Sequence, residues 1–463
     1  MKEKLWLKFW ENSMEKLKLS EIAKACGGTY SAEAEINGVC IDTRKITAGC
    51  LFICIKGERF DAHTFVNEAF EKGAGAVMIC EDIEVNGAFV KVQDTAKALL
   101  ELSGYYRRKF DIPVVGLTGS VGKTTTKEFT YLVVNAKYNA IKTLGNLNNE
   151  IGLPQMLFQI DESVEAAVIE MGMNHFGEIH RLSCAAKPTL GIITNIGVSH
   201  IENLGSREGI LKAKLEILDG LEENAPLILN GDNDLLKTVK TDDHRVYFYG
   251  IESDADFKAS DIKEVNGNTE FTVKYFGNEQ KIEIPIIGIH NVYNALAAFA
   301  AGYFLGVDPQ AAADALGKYE AQGMRQKSVT INGITSIEDC YNASPDSMKA
   351  ALQTLAATKG KKKIAVLSDM LELGDYARQA HYSVGEMAAE NKVDYLLCVG
   401  TDSRYTVEGA RAKGLETAYL FDTKEELCDK LYGIAESGDV VIFKASRGMR
   451  LEDVISELYK RWK

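Results

Sequence analysis

The stretch Gly119-Ser120-Val121-Gly122-Lys123-Thr124-Thr125-Thr126 decides the fold of this chain. The apolar run before it, residues 112–117, is short, rich in β-branched residues and opened by a proline, which indicates a buried parallel strand. After it, apolar residues recur at helical spacing. A strand, a glycine-rich loop and a helix in this order present backbone N–H groups and the positive end of the helix to one anion. The stretch therefore predicts a phosphate-binding loop in an α/β domain.

Two side chains of this loop carry the expected chemistry. Lys123 is placed to reach the terminal phosphates of a nucleotide, and the Thr124 hydroxyl is placed to ligate Mg²⁺. The spacing is shorter than the common form, because only Ser120 and Val121 separate Gly119 from the glycine before the lysine. A glycine-rich turn that precedes a lysine by chance is the alternative. Strand, glycines, lysine, threonine and helix fall in register, which favours the nucleotide site.

The composition bounds the class of protein. A chain of 463 residues exceeds what one core usually supports, and 46% hydrophobic residues allow several cores. The net charge of −13 disfavours nucleic acid or an anionic membrane as the main partner, so small-molecule substrates are expected. The nine cysteines lack zinc-site spacing, which favours reduced cytosolic thiols. The sequence contains no apolar run of about 18 residues, so no membrane helix is predicted. Residues 1–13 are expected to be an extension without function.

The pattern along the chain predicts three α/β domains, with limits at residues 1–108, 109–318 and 319–463. The first alternates short helices and strands. The second contains the phosphate-binding loop, mostly parallel strands, and a β-hairpin region with turns at Asn266-Gly267 and Gly277-Asn278. The third is a doubly wound domain. It has no G-x-G-x-x-G after its first strand, which counts against a bound dinucleotide.

Two candidate metal ligands follow strands of the second domain. The apolar strand 166–170 ends in Glu170, the position from which such sheets hold Mg²⁺ or its waters. The strand 190–194 leads through a short loop to His200. This histidine is either a satisfied polar residue of a loop or a metal or phosphate contact. Its place after the carboxyl end of a strand favours the second interpretation.

A helix predicted over residues 206–221 carries a lysine on its apolar face. Glu208, Lys212 and Glu216 recur every four residues on the face expected to be exposed, as ordinary charge pairs. Lys214 instead shares a stripe with leucine and isoleucine side chains. Either its stem covers the core with the ammonium at the rim, or CO₂ carbamylates it and makes it an anionic metal ligand. The stripe alone favours the first interpretation.

Loops elsewhere supply polar candidates that the pattern alone leaves open. Asn291, at the corner Gly288-Ile289-His290-Asn291, could read the edge of a purine base or cap the helix that follows. Asp42-Thr43-Arg44 follows a strand and could present an arginine to phosphate or a carboxylate, although such an arginine is more often a solvated surface residue. Asp61-Ala62-His63 has an equally good interpretation as a polar turn.

Five segments together resemble the Mur ligase family. They are the short loop 118–125, Gly145-Asn146-Leu147-Asn148-Asn149-Glu150-Ile151-Gly152, Glu170-Met171-Gly172-Met173, the corner 288–294, and Asp339-Cys340-Tyr341-Asn342-Ala343. Members of this family are ATP-dependent ligases that build the peptide of the peptidoglycan precursor. The resemblance runs from about residue 17 to the C-terminus and is greatest to the last enzyme of the series. It implies an N-terminal domain for a UDP-sugar, a central ATPase and a C-terminal Rossmann-like domain for the incoming amine.

The resemblance implies a reaction and its partners. The γ-phosphoryl group of ATP passes to the carboxylate of UDP-N-acetylmuramoyl-tripeptide, and the amino group of D-alanyl-D-alanine attacks the resulting acyl phosphate. The implied cofactors are ATP, Mg²⁺ at two sites and a carbamylated Lys214. The resemblance also implies a monomer in the bacterial cytoplasm, without a covalent enzyme intermediate, a nucleic-acid partner or insertion into a membrane.

The resemblance assigns roles by position. It implies nucleotide contacts for Gly119, Ser120, Gly122, Lys123, Thr124, Thr125, Asn291, Arg325 and Asp339. It implies metal ligands at Thr124, Glu170, His200 and Lys214, and catalytic roles for Lys123, Glu170, His200 and Lys214. Substrate contacts are implied for Asn148, Asn149, Asn342, Ser344, the loop 371–375, Arg44 and Thr43, which stands where serine is more usual. For Lys214, the implied role as a carbamylated metal ligand replaces the earlier preference for an ammonium group at the edge of the core.

Three other classes of protein fit this sequence less well than the last ligase of the series. The ligase that adds the third amino acid is expected to carry an Asn-Pro-Arg motif in its last domain, and this sequence has none. Folylpolyglutamate synthase shares the core chemistry, but the segments 148–149 and 339–346 fit it poorly. A binding protein without activity would not need Thr124, Glu170 and His200 together with the lysine of the loop.

Overall fold

The computed structural model describes residues 14–57, 60–321 and 323–463. These residues form three large sheets that follow one another along the chain, and a two-stranded ribbon of Leu17–Lys18 and Glu35–Ile36. The predicted fold class is confirmed, since most strand pairs in each large sheet are parallel. The predicted extension, residues 1–13, lies outside the described residues. Among the described helices, none combines the length and the apolar composition needed to cross a membrane.

The N-terminal sheet has five short strands. Their order is Thr29–Tyr30, Phe89–Lys91, Ala76–Ile79, Leu51–Ile53 and Val39–Cys40, and only the first pair is antiparallel. The helices of this region are Leu19–Ala25, Val66–Glu71 and Thr95–Arg107, with 3-10 turns at Thr43–Lys45 and Ala62–Phe65. Asp94 is the N-cap of the longest of these helices, and its carboxylate accepts the backbone N–H groups of Ala96 and Lys97.

The central sheet has nine strands and carries the phosphate-binding loop. The strand order is Asn278–Ile284, Asn268–Tyr275, Phe257–Val265, Arg245–Gly250, Pro226–Asn230, Leu190–Ile193, Val114–Thr118, Ala166–Glu170 and Ala140–Lys142. The first two pairs are antiparallel and the others parallel. Its helices are Lys123–Val134, Gly152–Leu157, Glu178–Ala186, Ile201–Leu204, Arg207–Leu215, Ile289–Phe304 and Pro309–Leu316, with 3-10 turns at Glu216–Asp219 and Leu236–Thr238.

Three local predictions in this region are corrected. The helix predicted over residues 206–221 ends at Leu215, because Glu216 begins a 3-10 turn. The Glu216 carboxylate accepts the backbone N–H groups of Gly177 and His180, so it caps a neighbouring helix and its predicted charge pair with Lys212 is wrong. The second hairpin turn lies at Phe276-Gly277, one residue earlier than predicted, with φ of 43° and 79°.

The C-terminal sheet has six strands. Their order is Lys327–Ile331, Ile334–Glu338, Val440–Lys444, Lys363–Ser368, Tyr395–Val399 and Ala418–Phe421, and only the first pair is antiparallel. The helices are Pro345–Ala357, Ala377–Glu390, Ser403–Ala412, Lys424–Ile434 and Glu452–Trp462, with 3-10 turns at Gly374–Tyr376 and Arg447–Met449. The sequence did not predict Ile334–Glu338, Ser403–Ala412 or Ala418–Phe421.

Strand register brings the polar candidates of the central region to one edge. Glu170 pairs with Leu117, and Ile193 pairs with Thr118, so the loop that follows residue 118 starts between two strand ends. Behind it, the helix Ile289–Phe304 packs closely on the helix Lys123–Val134. A Cβ at Gly302 would lie 2.3 Å from Val133 Cγ1, so only glycine permits this approach.

Candidate active site

The phosphate-binding loop is held in shape by the end of the neighbouring strand. Gly122 adopts φ of 82° and is the N-cap of the helix Lys123–Val134, and among the described residues no side chain caps this helix. The Val121 N–H donates to Asn195 Oδ1 at 2.9 Å, and the Ser120 N–H to the Asn195 carbonyl at 3.0 Å. The Thr194 hydroxyl donates to the Val121 carbonyl at 2.6 Å. The helix start therefore offers its N–H groups to an anion.

Lys123 lies over its own loop. Its Nζ donates to the Gly119 carbonyl at 2.7 Å and contacts the Ser120 carbonyl at 3.5 Å. Burial lowers the pKa of Lys123; the charge of Glu170 opposes this, and that of Arg325 adds to it. The ammonium is thus placed where a phosphate bound by the loop would face it.

Glu170 and Thr124 form the first predicted metal pair. Glu170 is buried, and its Oε2 accepts the Thr124 hydroxyl at 3.0 Å while its Oε1 accepts Asn148 Nδ2 at 2.8 Å. The Glu170 backbone N–H donates to the Thr143 hydroxyl at 2.9 Å, which ties the end of this strand to the residue after the strand Ala140–Lys142. A buried cation, Lys127, lies 3.9 Å from Oε2. The structure therefore brings together two of the predicted ligands and one predicted substrate residue.

His200 stands at the start of the short helix Ile201–Leu204, with φ of 63°. Its Nδ1 lies 2.7 Å from Glu372 Oε2 of the C-terminal region. Nδ1 is nevertheless a buried atom without a completed hydrogen bond among the described residues. The histidine lowers the pKa of the Glu372 carboxyl, against the opposite effect of burial.

Lys214 is almost completely enclosed, with 1% of its surface exposed. Burial and the positive charge of Lys123 lower its pKa well below the usual value. It does not line the cleft described below, and no described residue forms a hydrogen bond or ion pair with its amine. A lysine with its ammonium at the rim would be more exposed than this, so that interpretation is wrong. Its environment favours the neutral amine, which is the form that reacts with CO₂.

The residues present fit divalent metal ions. Thr124 and Glu170 offer hard oxygen ligands side by side, which Mg²⁺ prefers. His200 presents an incompletely bonded ring, and Lys214 a buried amine without a hydrogen-bond partner among the described residues. These are residue types and local chemistry that a second metal site would need.

A cleft of about 430 Å³ between the central and C-terminal sheets gathers most of the predicted residues. Those that line it are Ser120, Gly122, Lys123, Thr124, Thr125, Asn148, Asn149, Glu170, His200, Asn291, Arg325, Asp339, Asn342 and Ser344. Gly119, Lys214, Thr43 and Arg44 do not line it. Lining residues for which the sequence predicted no role include Tyr293, Gln326 and Lys444.

One corner of the cleft joins the two regions through amides. Asn291 Nδ2 donates to the Ile287 carbonyl and to Gln326 Oε1, both at 2.9 Å. Gln326 Nε2 lies 2.8 Å from His290 Nε2. Gly288 is the N-cap of the helix Ile289–Phe304, so the interpretation of Asn291 as its cap is wrong. The amide of Asn291 instead lies at the wall of the cleft.

The C-terminal wall is built around a buried lysine. Lys444 Nζ lies 2.9 Å from Asp339 Oδ2 and donates to the carbonyls of Asp339 at 3.1 Å and Asn342 at 2.9 Å. The Arg325 guanidinium lies 4.1 Å from the centroid of the Tyr341 ring. The sequence singled out the polar loop that begins at Lys444 but predicted no role for this lysine, although it ends a buried strand as Glu170 does. That shared position is the signal that could have found it.

Two predicted substrate residues also cap helices. Asn149 Oδ1 accepts the Gly152 N–H at 2.8 Å, at the start of the helix Gly152–Leu157. The Ser344 hydroxyl accepts the Ser347 N–H at 3.5 Å and is the N-cap of the helix Pro345–Ala357. Both side chains therefore have a structural role whatever they bind.

Thr43 and Arg44 lie apart from the cleft, on a 3-10 turn in which Arg44 is exposed and Thr43 is half-buried. The Arg44 guanidinium pairs with Asp42 Oδ2 at 2.7 Å, and the Thr43 carbonyl accepts Lys72 Nζ at 3.2 Å. The structure thus presents Arg44 to solvent at the N-terminal sheet and leaves Thr43 partly covered.

The predicted polar turn at Asp61-Ala62-His63 encloses its histidine. Buried His63 has Nδ1 at 2.6 Å from Asp61 Oδ1, and its Nε2 accepts the Cys80 N–H at 3.0 Å. Asp61, His63 and Glu81 lie close enough to hold a cation. Lys56 already lies against Glu81 and 3.7 Å from Asp61, so a lysine of the protein itself partly neutralises these two carboxylates.

Known proteins of one family match this chain over nearly its whole length. Three family profiles match in order: the Mur ligase family catalytic domain at residues 35–110, the Mur ligase middle domain at 117–302, and the Mur ligase glutamate ligase domain at 324–447. UDP-N-acetylmuramoyl-tripeptide–D-alanyl-D-alanine ligase of Bacillus subtilis is 42% identical, over 96% of this chain and 99% of that protein. The protein of the same name from Escherichia coli is 35% identical, over 93% and 96%.

Solved structures show the same likeness. A crystal structure of MurF from Acinetobacter baumannii superposes with a TM-score of 0.91 at 30% identity, over 96% of this chain and 99% of that one. MurF ligase from Thermotoga maritima in complex with ADP gives 0.83 at 28%, over 91% and 97%. With three matched domains and full-length relatives, this chain belongs to the Mur ligase family.

Proposed function

We propose that this chain is an ATP-dependent ligase that joins D-alanyl-D-alanine to UDP-N-acetylmuramoyl-tripeptide in peptidoglycan precursor synthesis, and releases ADP and phosphate. The observation that carries the proposal is the cleft in which Lys123 and the Thr124–Glu170 pair face Arg325 and Asp339 of the other region. The full-length similarity to relatives named for this reaction supports the choice of substrates.

The charges of the cleft suit the joining of two anions. The γ-phosphoryl group of ATP is transferred to the substrate carboxylate, which gives an acyl phosphate and ADP. The amine then attacks the acyl carbon, loses a proton and displaces phosphate as the amide forms. Two negatively charged reactants must first be brought together, which needs cations and backbone N–H groups rather than a protein nucleophile. Lys123, the helix start behind Gly122, and Arg325 supply these groups.

Mg²⁺ and a modified lysine complete the proposal. Thr124 and Glu170 would hold one Mg²⁺, and His200 with carbamylated Lys214 would contribute to a second site. When bound, Mg²⁺ supplies positive charge that stabilises the phosphoryl group as its negative charge is redistributed. Carbamylation forms a bond from the Lys214 nitrogen to CO₂ and releases one proton. Support comes from the burial and lowered pKa of this amine.

The remaining expectations are also proposed. Asn148, Asn149, Asn342 and Ser344 would contact the substrates in the cleft, and the turn with Thr43 and Arg44 would contact the UDP moiety. The domain limits would be those predicted from the sequence. We also propose that the protein is a monomer. It would work in the cytoplasm, because ATP and UDP-linked sugars are available there.

The test supplies purified protein with ATP, Mg²⁺, UDP-N-acetylmuramoyl-tripeptide and a panel of amines, and follows phosphate release. D-alanyl-D-alanine should stimulate release, and mass spectrometry should find the amide. Lys123→Met should abolish the stimulation, whereas Lys137→Met, an exposed lysine just beyond the end of the same helix, should keep it. Stimulation by another amine but not by D-alanyl-D-alanine would refute the assignment of the acceptor.

A further inference from the structure

Two loops from different sheets meet at His200. The histidine follows the strand Leu190–Ile193 of the central sheet, and Glu372 follows the strand Lys363–Ser368 of the C-terminal sheet. Glu372 Oε2 lies 2.7 Å from His200 Nδ1. This contact therefore exists only while the two regions lie against each other.

Both residues of the pair have backbone conformations that residues other than glycine rarely adopt. The φ of His200 is 63° and that of Glu372 is 62°, in the left-handed region. The loop of Glu372 also packs directly on the short helix after His200, because a Cβ at Gly374 would lie 3.2 Å from Glu202 Cγ. Unfavourable backbones that face each other across a boundary persist only where the surroundings impose them, and they concentrate at functional sites.

The geometry divides the two nitrogens of the histidine ring. Nδ1 faces the carboxylate of the other region, which leaves Nε2 as the nitrogen available to a metal. A histidine that binds a metal usually donates its other ring N–H to a carboxylate, which sets the tautomer and the ring orientation. The 2.7 Å between Nδ1 and Glu372 Oε2 is a hydrogen-bond distance, although no hydrogen bond is completed among the described residues.

An ordinary surface ion pair is the competing explanation. The Glu372 side chain is 54% exposed, and exposed pairs contribute little to stability. The His200 side chain is only 17% exposed, however, and its Nδ1 is buried. A buried polar atom with no other described partner than this carboxylate favours a positioning role over a chance contact.

We propose that Glu372 is a positioning residue, which accepts the Nδ1–H of His200 and thereby directs Nε2 toward the metal. The proposal rests on the metal site assigned to His200 under the proposed function. Since the carboxylate comes from the C-terminal region, approach of the two regions and metal binding become linked. Linkage is reciprocal, so the metal should also favour the closed arrangement.

The experiment measures binding of Mn²⁺, as a probe for Mg²⁺, to the full chain by electron paramagnetic resonance in the presence of a non-hydrolysable ATP analogue. Glu372→Gln should weaken the affinity of one Mn²⁺ about 10- to 100-fold, the range usual for loss of such a carboxylate. His200→Ala should lose that ion. Glu408→Gln, an exposed glutamate of the same region, should bind Mn²⁺ as the unsubstituted protein does. Thermal midpoints confirm that the variants fold.

A second measurement follows the distance between the regions by small-angle X-ray scattering with and without Mn²⁺. The metal should make the unsubstituted protein more compact, and Glu372→Gln should reduce this change. Unaltered Mn²⁺ affinity in Glu372→Gln, with loss in His200→Ala, would overturn the proposal but not the metal site. Unaltered affinity in both variants would overturn both. Neither outcome depends on which amine the enzyme accepts.

Discussion

Replacement of Gly122 by alanine is the sharpest test of the phosphate-binding loop. Gly122 has φ of 82°, and an added Cβ would lie 2.6 Å from Asn294 Oδ1. That oxygen accepts the Thr126 hydroxyl at 3.1 Å, so it cannot move without loss of a buried hydrogen bond. Alanine at this position must therefore strain the backbone and displace either the loop or the amide.

The expected cost has two parts. A left-handed backbone costs a residue with a Cβ about 1–2 kcal/mol, and a contact this short costs about 1–3 kcal/mol as overpacking. The free energy of unfolding should thus fall by about 2–5 kcal/mol. Displacement of the loop should also weaken ATP binding at least about tenfold, since loss of one hydrogen bond to a charged group costs about 1.5–3 kcal/mol.

Gly267→Ala is the matched control. Gly267 has φ of 85° in a hairpin turn of the same sheet, and nothing lies within 4 Å of its added Cβ. It should lose only the backbone part and bind ATP normally. Urea unfolding and calorimetric titration with ATP measure both effects, and Asn294→Ala in the Gly122→Ala background should recover part of the loss. If Gly122→Ala matches Gly267→Ala in stability and in ATP affinity, the close packing around this loop does not control nucleotide binding.

Three further predictions concern titrating groups. Lys214→Ala should lose most ligase activity, and bicarbonate should not restore it, whereas a short carboxylic acid should restore part of it. The control Lys212→Ala, on the exposed face of the same helix, should stay active. Full activity of Lys214→Ala would remove that lysine from the mechanism. Burial lowers the pKa of His290, although its hydrogen bond with Gln326 acts in the opposite direction. Below pH 6.5 this histidine therefore binds a proton more readily in the unfolded chain than in the folded chain. Stability should therefore decline as pH falls from 6.5 to 5, by up to about 1.4 kcal/mol per unit, and equal thermal-midpoint slopes in His290→Gln would contradict this. Burial opposes ionisation of Asp232, but backbone N–H donors outweigh it and lower its pKa to about 2. Asp232→Asn should then cost about 1–2 kcal/mol at pH 7 in urea unfolding, after allowance for solvent screening, and the difference should disappear as pH falls from 4 to 2.

Interactions between residues close in sequence were predictable. The buried strands Ala166–Glu170 and Tyr395–Val399 match their predicted limits, because a continuous apolar run between polar loops is a local signal. Lys123 and Thr124 were predictable as neighbours on a helix start. The burial of Lys214 followed from its stripe, although the stripe did not show whether the amine reaches the rim.

Partners distant in sequence were not predictable from pattern. Lys444 binds Asp339 from 105 residues away, and Glu372 meets His200 across two sheets. Glu216 was expected to face solvent beside Lys212, but its carboxylate caps a helix that begins 38 residues earlier, at Glu178. A helical period describes which face a side chain occupies, and it contains no information about the element that packs there.

The sequence by itself determined the class of this protein and the residues of its nucleotide loop, because strand, loop and helix are encoded by neighbouring residues and their hydrophobic pattern. The resemblance to a family added the roles of residues scattered along the chain. Only the tertiary structure decided which of them share the cleft, which cap helices and which lie apart on the N-terminal sheet. The physical reason is that strand register and the packing of one region on another set these distances, and both depend on contacts between residues far apart in the chain.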